Sequence, residues 1–353
     1  VRVLLIKTSS LGDVIHALPA LTDAAHAIPG IQFDWVVEEG FAEIPTWHPA
    51  VDQVIPVAIR RWRKNLWQTL KSGEWRQFKQ RIRARKYDLV IDAQGLVKSA
   101  WLTRYVKKTP IAGLDRYSAR EGFSSRFYDR RLSVAKGQHA VERVRQLFAL
   151  ALGYDIPEGI GNYGLDRSRL EEVGVAPYVV FLHGTTWDTK HWPELYWRQL
   201  AERLGRAGLH VCLPWGNPTE KARAERIAQG LKNARVLPKL NLAGVGRVLA
   251  SATACVAVDT GLGHLAAALD VPTISLFGPT NPGLTGAYGK SQVHVASDFP
   301  CAPCLRKKCN YKPSAEELRR FDLKREWPLC FTRLNPERVA RQLGELLRAE
   351  DVR

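Results

Sequence analysis

One stretch constrains this chain more than any other: CVAVDTGLGHLAAALDVPTISLFGPTNP, residues Cys255 to Pro282. An apolar run, Cys255–Val258, leads into the polar turn Asp259-Thr260-Gly261-Leu262-Gly263, and the spacing predicts a helix opening near His264. A second apolar run, Thr273–Phe277, ends in Gly278-Pro279-Thr280. Strand, helix and strand in that order build a parallel sheet, with the small polar residues at its C-terminal edge. Open parallel sheets bind ligands at that edge, where a helix N-terminus offers unpaired N–H groups and a positive dipole end to phosphate. Glycine lets the backbone approach an anion closely, and Thr260 and His264 add donors. A nucleotide-diphosphate site is expected here. Gly261-Leu262-Gly263-His264-Leu265-Ala266 also fits the dinucleotide fingerprint, but that motif wants an acid about 20 residues on. The chain has Gly278-Pro279-Thr280-Asn281 there, which argues against a nicotinamide cofactor. The plainer alternative is that the glycines only turn a tight corner.

The rest of the chain repeats the pattern. At 353 residues two domains are expected. Strands are expected at Arg2–Lys7, Phe33–Val37, Val54–Val57 and Tyr87–Asp92, with a helix at Val14–Ala27 kinked at Pro19 and another at His139–Leu152. Periodicity breaks between Gly153 and Pro177, the expected linker. Alternation resumes with strands at Tyr178–His183, His210–Pro214 and Arg235–Leu237, and helices at Glu194–Ala207, Thr219–Gly230 and Leu242–Ala250. A last helix, Asn335–Ala349, has Asn335 as N-cap and Pro336 at its first position. The expected division is 1–165, 166–334, and a C-terminal helix, 335–353, packing back towards the first domain. Alternating strands and helices make both halves α/β. The strand ends of the two halves are then expected to face each other across a cleft.

Charge narrows the function. The net charge is +17, and from Arg60 to Lys86 eleven Arg and Lys stand against the single acid Glu74, interleaved with Trp62, Trp67, Trp75 and Phe78. Such a segment suits nucleic acid, an anionic membrane surface or a phosphorylated substrate; a solvated basic helix is the bland alternative. No apolar run approaches the roughly 18 residues of a membrane span. Val1–Ile6 reads as a first strand rather than a signal segment, so the protein is expected in the cytoplasm. Of six cysteines, Cys212 and Cys255 sit in apolar runs. Cys301, Cys304, Cys309 and Cys330 are spaced C-x2-C-x4-C-x20-C, which in a reducing compartment suggests a structural zinc, or else reduced packing cysteines or a disulfide.

Polar residues at the other strand ends suit the same ligand. After Tyr178–His183 come Thr185, Thr186 and Lys190, good partners for phosphate oxygens. Past His210–Pro214 stands Glu220, placed to accept ribose hydroxyls, or else a helix-end charge. Asp13 follows the first strand near a helix N-terminus, a position suited to a general base or an ordinary cap.

Taken together, Lys7–Ala20, Phe33–Phe41, Ile91–Leu96, Lys190-His191-Trp192-Pro193, Leu213-Pro214-Trp215-Gly216 and Val258–Gly261 resemble the lipopolysaccharide heptosyltransferase I group of glycosyltransferase family 9. The resemblance covers nearly the whole chain. It implies the GT-B fold, two Rossmann-like domains with the nucleotide-sugar in the C-terminal one. It also implies metal-free, inverting transfer of L-glycero-D-manno-heptose from ADP-heptose to the first Kdo of Kdo2-lipid A. Carried onto this sequence, it makes Asp13 the catalytic base and puts Thr185, Thr186 and Lys190 on the diphosphate. Glu220 goes to the ribose, Asp259 to the heptose hydroxyls, and Thr260, Gly261 and His264 lie against the phosphates. Arg60, Arg61, Arg63, Lys64 and Arg120 would meet the acidic acceptor at the cytoplasmic face of the anionic inner membrane, with no nucleic acid partner. The resemblance supplies no metal for the Cys301–Cys330 segment. The alternatives are a heptosyltransferase II with a different acceptor and, from another class, a non-catalytic polyanion-binding protein.

Overall fold

The computed structural model describes residues 1–165, 170 and 177–351, with the side chains of 66, 68, 70 and 351 left aside. Part of the expected linker therefore lies outside the described residues. The chain divides into two compact units, Val1–Arg169 and Leu170–Arg353.

In the first unit the apolar runs become strands β1 (Arg2–Ile6), β2 (Gln32–Glu38), β3 (Val51–Val57), β4 (Leu89–Asp92), β5 (Ile111–Leu114) and β6 (Arg130–Leu132). They form one parallel sheet in the order β3-β2-β1-β4-β5-β6. Central strands covered on both faces by helices must be apolar throughout, and Val3 to Ile6 are fully buried. The expected kinked helix is two helices, Leu11–Ile15 and Leu18–Ala27, with Pro19 in the first turn of the second. Proline is tolerated there because its missing N–H would have no intrahelical partner. The basic segment is likewise three helices, Ile59–Lys64, Leu66–Lys71 and Glu74–Arg83. Gly73 starts the third at φ +75°, a left-handed conformation that glycine adopts without strain.

The second unit repeats the design with β7 (Tyr178–Leu182), β8 (His210–Leu213), β9 (Ala234–Val236), β10 (Ala254–Val258), β11 (Thr273–Phe277) and β12 (Gln292–Ala296). Their order is β12-β11-β10-β7-β8-β9, again all parallel. Read in chain order, both sheets run 3-2-1-4-5-6, the doubly wound arrangement whose strand order reverses between the first and fourth strands. The reversal opens a crevice at the carboxyl ends of β1 and β4 in one unit, and of β7 and β10 in the other.

The final helix, Pro336–Asp351, is capped by Asn335, whose Oδ1 accepts from Arg338 N at 2.9 Å. Its apolar face packs within its own unit: Val339, Leu343 and Leu346 are buried in the second unit's core with Trp192, Trp197 and Leu276. No helix among the described residues is long and apolar enough to cross a membrane.

Candidate active site

In the first unit the crevice is lined by the turn after β1. Helix Leu11–Ile15 puts Asp13 at its third position, where Oδ2 accepts from Ser10 N at 2.7 Å and from Ser10 Oγ at 3.1 Å. Among the described residues Oδ1 accepts no hydrogen bond, so the carboxylate caps the helix with one oxygen and keeps the other open. The turn is held from β4. Gln94 Oε1 accepts from Thr8 N and Ser9 N at 3.0 and 3.1 Å, and Lys7 Nζ donates to Ala93 O at 2.9 Å. Behind it, buried Asp92 accepts from Gln94 N, Ser99 Oγ and Tyr128 OH. Burial nevertheless raises its carboxyl above the usual range, against those hydrogen bonds.

Sequence reasoning passed over Lys7 as a site residue. It is 6% exposed, and burial pulls its ammonium below the usual lysine range while the carboxylates of Asp13 and Asp92 pull the other way. Arg120, expected at the acceptor, and Arg143 act on the same ammonium as like charges. Lys98 Nζ reaches Ser9 Oγ at 3.4 Å. The available signal was a lysine closing an otherwise apolar strand just before a polar turn.

Of the other expected acceptor residues, Arg60, Arg63 and Lys64 are exposed on one short helix. Arg61 differs: it bridges Glu39 at 3.0 Å and Glu74 at 2.9 Å, so its charge is already matched. The interleaved aromatics are mostly structural. Trp62 and Phe78 are buried in the core against Leu4, Ile6 and Val90, whereas Trp67 is 81% exposed.

In the second unit the crevice gathers residues from four loops. After β7 come Gly184, Thr185 and Thr186, then the short turn Asp188–Lys190. Thr185 Oγ1 donates to Asp259 O at 3.2 Å, which ties the β7 and β10 loops together. Lys190 Nζ pairs with Asp259 Oδ2 at 2.7 Å, and Thr280 Oγ1 donates to the same oxygen at 2.7 Å. Lys190 also lies over the Trp187 ring, 4.5 Å from its centroid. After β10, helix Gly261–Ala268 begins earlier than expected, with Thr260 in the N-cap position. Gly261 to His264 thus form its first turn; Gly263 N donates back to Thr260 O at 3.0 Å, and the amides at the very start of the helix are the ones that lack intrahelical partners. Gly263 lets the helix pack closely on β10, since a Cβ there would stand only 3.3 Å from the Ala257 Cβ. His264 is 7% exposed.

Glu220 lies in the first turn of helix Pro218–Ala228. Its Oε2 accepts from Gly216 N at 2.8 Å, while Oε1 takes no hydrogen bond among the described residues. Glu220 thus closes a loop with one oxygen, and the other is left without a hydrogen bond from the described residues. A Cβ on Gly184 would stand 2.8 Å from the Glu220 carboxyl carbon, so the residue after His183 must be glycine for the carboxylate to sit there.

The four clustered thiols lie near enough to act on one another, Cys301, Cys304 and Cys309 all adding to the rise of the Cys330 thiol that burial begins, but they do not close into the expected zinc set. All six cysteines are free thiols, and among the described residues no group of three or more His, Cys, Asp or Glu side chains is gathered as a metal ion requires. Cys301, Cys304 and Cys309 line a cavity of about 460 Å³ with Arg306 and Tyr311. Cys330 packs towards Gly278, where a Cβ would meet its sulfur at 3.0 Å.

Residues 75–315 match the model of glycosyltransferase family 9 (heptosyltransferase). Lipopolysaccharide heptosyltransferase 1 of Pseudomonas aeruginosa is 73% identical over 351 residues, 99% of each chain. The enzyme of the same name from Salmonella typhimurium is 56% identical and covers 84% of this chain and 94% of its own. Among solved structures, E. coli heptosyltransferase WaaC with ADP superposes with a TM-score of 0.81 at 54% identity, covering 84% of this chain and 93% of that one. A second structure holds ADP-2-deoxy-2-fluoro heptose and gives a TM-score of 0.79 over the same shares.

Proposed function

The chain belongs to glycosyltransferase family 9 and is a heptosyltransferase of lipopolysaccharide core synthesis on the GT-B fold; we propose that it moves L-glycero-D-manno-heptose from ADP-heptose to the first Kdo of Kdo2-lipid A, inverting the anomeric carbon without a divalent cation. Support for the donor comes from the ADP and fluoro-heptose complexes of the E. coli relative. A non-catalytic polyanion-binding role is set aside by the family.

The second unit holds the donor in this reading. Thr185, Thr186, Lys190 and the first turn of the helix from Thr260 through Gly261 to His264 face the diphosphate. The open oxygen of Glu220 takes the ribose hydroxyls, and Asp259 takes those of the heptose. From the first unit, Asp13 Oδ1 removes the proton of the Kdo 5-hydroxyl as that oxygen bonds to the anomeric carbon. The bond from that carbon to the β-phosphate oxygen breaks, and ADP leaves with the electron pair, its charge met by Lys190 and the helix amides. One displacement inverts the centre. Arg60, Arg63, Lys64 and Arg120 meet the acceptor's carboxylates and phosphates at the anionic cytoplasmic face of the inner membrane. A heptose acceptor, as in a second heptosyltransferase, is less favoured: a Salmonella typhimurium protein of that name is 22% identical.

The observation that carries the mechanism is the Asp13 carboxylate, anchored through one oxygen and open at the other. Help from a general base is worth about 10²–10⁴ in rate. Asp13→Asn keeps the shape and still accepts from Ser10 N, so ADP affinity and thermal unfolding should stay near wild type. The rate with ADP-heptose and de-acylated Kdo2-lipid A, read by mass, should fall within that range. Turnover close to wild type would move the base elsewhere.

A further inference from the structure

Residues 299–312 carry three of the four clustered cysteines and the triplet Arg306-Lys307-Lys308. The segment is fastened to the donor loops at two points. Leu305 N donates to Pro279 O at 2.8 Å, and the buried Thr189 hydroxyl donates to Arg306 O at 2.6 Å. The two residues so pinned immediately precede Lys307. Their partners adjoin Thr280 and Lys190, the two residues bonded to Asp259.

Lys307 is thereby carried onto Trp187, its Nζ 5.7 Å from the ring centroid. Lys190 occupies the same indole at 4.5 Å, so two ammonium groups share one aromatic side chain. Their charges are differently engaged. Lys190 is paired with Asp259, both side chains largely buried at 15% and 9% exposure. Lys307 is exposed, and among the described residues no carboxylate pairs with it. A diphosphate reaching this rim meets in Lys190 a cation already matched by a carboxylate. Two like charges beside one ring also repel until an anion joins them.

We propose that Lys307 is a second diphosphate-binding cation of the donor site, held in place by the Thr189–Arg306 and Leu305–Pro279 hydrogen bonds. This rests on the reading of the second unit as the nucleotide site. The ligand class is a nucleoside diphosphate, bound through its terminal phosphate.

Calorimetry with ADP and AMP on the full chain tests it. Lys307→Ala should weaken ADP by roughly 3–10-fold, as expected for one charge-assisted contact at a partly exposed rim. AMP, lacking the second phosphate, should change by less than about twofold, and added salt should narrow the difference for ADP. Lys308→Ala, with the same charge lost one residue on, should bind as wild type. Thr189→Val should weaken ADP in the same direction and Thr189→Ser should restore it; in turnover, the donor KM should rise in Lys307→Ala with kcat less affected. Unchanged ADP affinity in Lys307→Ala overturns the proposal, as does an equal loss in Lys308→Ala, which would mean a diffuse field. A wild-type chain that binds no ADP would bring down the donor-site reading itself; one that binds ADP as well as Lys307→Ala does would bring down this inference alone.

Discussion

Asp13 and Glu220 solve one problem in the same way. Each sits in the first turn of a helix at a sheet crevice and spends one carboxylate oxygen on a loop amide, Ser10 N or Gly216 N. A cap and a ligand-binding group are thus not competing readings, because a carboxylate has two oxygens and a single N–H needs only one. His48 shows a buried ring settled the other way. Its Nδ1 accepts from Ala50 N at 3.2 Å, which leaves Nε2 to donate to Thr22 Oγ1 at 3.0 Å. Burial pulls its pKa down to about 4. A neutral histidine in the fold that charges when unfolded contributes stability above its unfolded pKa near 6.5, and loses it as pH falls towards 4. For one group the loss is on the order of 3 kcal/mol across that window. Urea unfolding at pH 7 and pH 4.5 should show His48→Gln less stable at pH 7 but with a flatter decline. An equal decline in both would place the responsible proton elsewhere.

At the scale of elements, the crevice residues depend on close approach of loops. Gly184 lies just after β7, where a side chain would displace the Glu220 carboxylate. Gly184→Ala should therefore weaken ADP by about 1–3 kcal/mol, the cost of losing a charge-assisted hydrogen bond, and Glu220→Ala in the same background should add little further. Full additivity of the two would show that Gly184 acts independently of Glu220. The basic segment teaches a different lesson. Its helical spacing was visible, but Trp62 and Phe78 face the core, and Arg61 is neutralised by Glu39 and Glu74. The charge free to meet a ligand is smaller than the run of residues suggests.

For the whole molecule, two units with the same strand order each present a crevice, and the proposed reaction assigns one substrate to each. Reversing charge at Arg60 and Arg63 should raise the acceptor KM several-fold while ADP affinity stays as in wild type, and added salt should raise the wild-type acceptor KM through screening. Arg61→Glu should in addition destabilise the first unit, because it sets three carboxylates together. An acceptor KM indifferent to Arg60 and Arg63 would return this helix to a solvated face.

The sequence by itself determined the layered α/β class, the strand ends that carry Asp13, Thr185, Glu220 and Asp259, and the cap of the last helix. These are local matters: apolar runs long enough to be buried strands, glycines and caps at their ends. Short strands escaped it. Ile111–Leu114, Arg130–Leu132 and Gln292–Ala296 are extended because a neighbouring ladder pairs them, and runs of three to five residues are too short to show a period of their own. The cysteine spacing suggested a zinc site; the fold brings the four thiols within reach of one another's charge without gathering a metal-holding group among the described residues. Only the tertiary structure decided that Lys190 is matched by Asp259, that Lys7 lies buried beside Asp13, and that Lys307 shares Trp187. Thr189 and Arg306 are 117 residues apart in the chain, and no local pattern records which distant loops a sheet will bring to one edge.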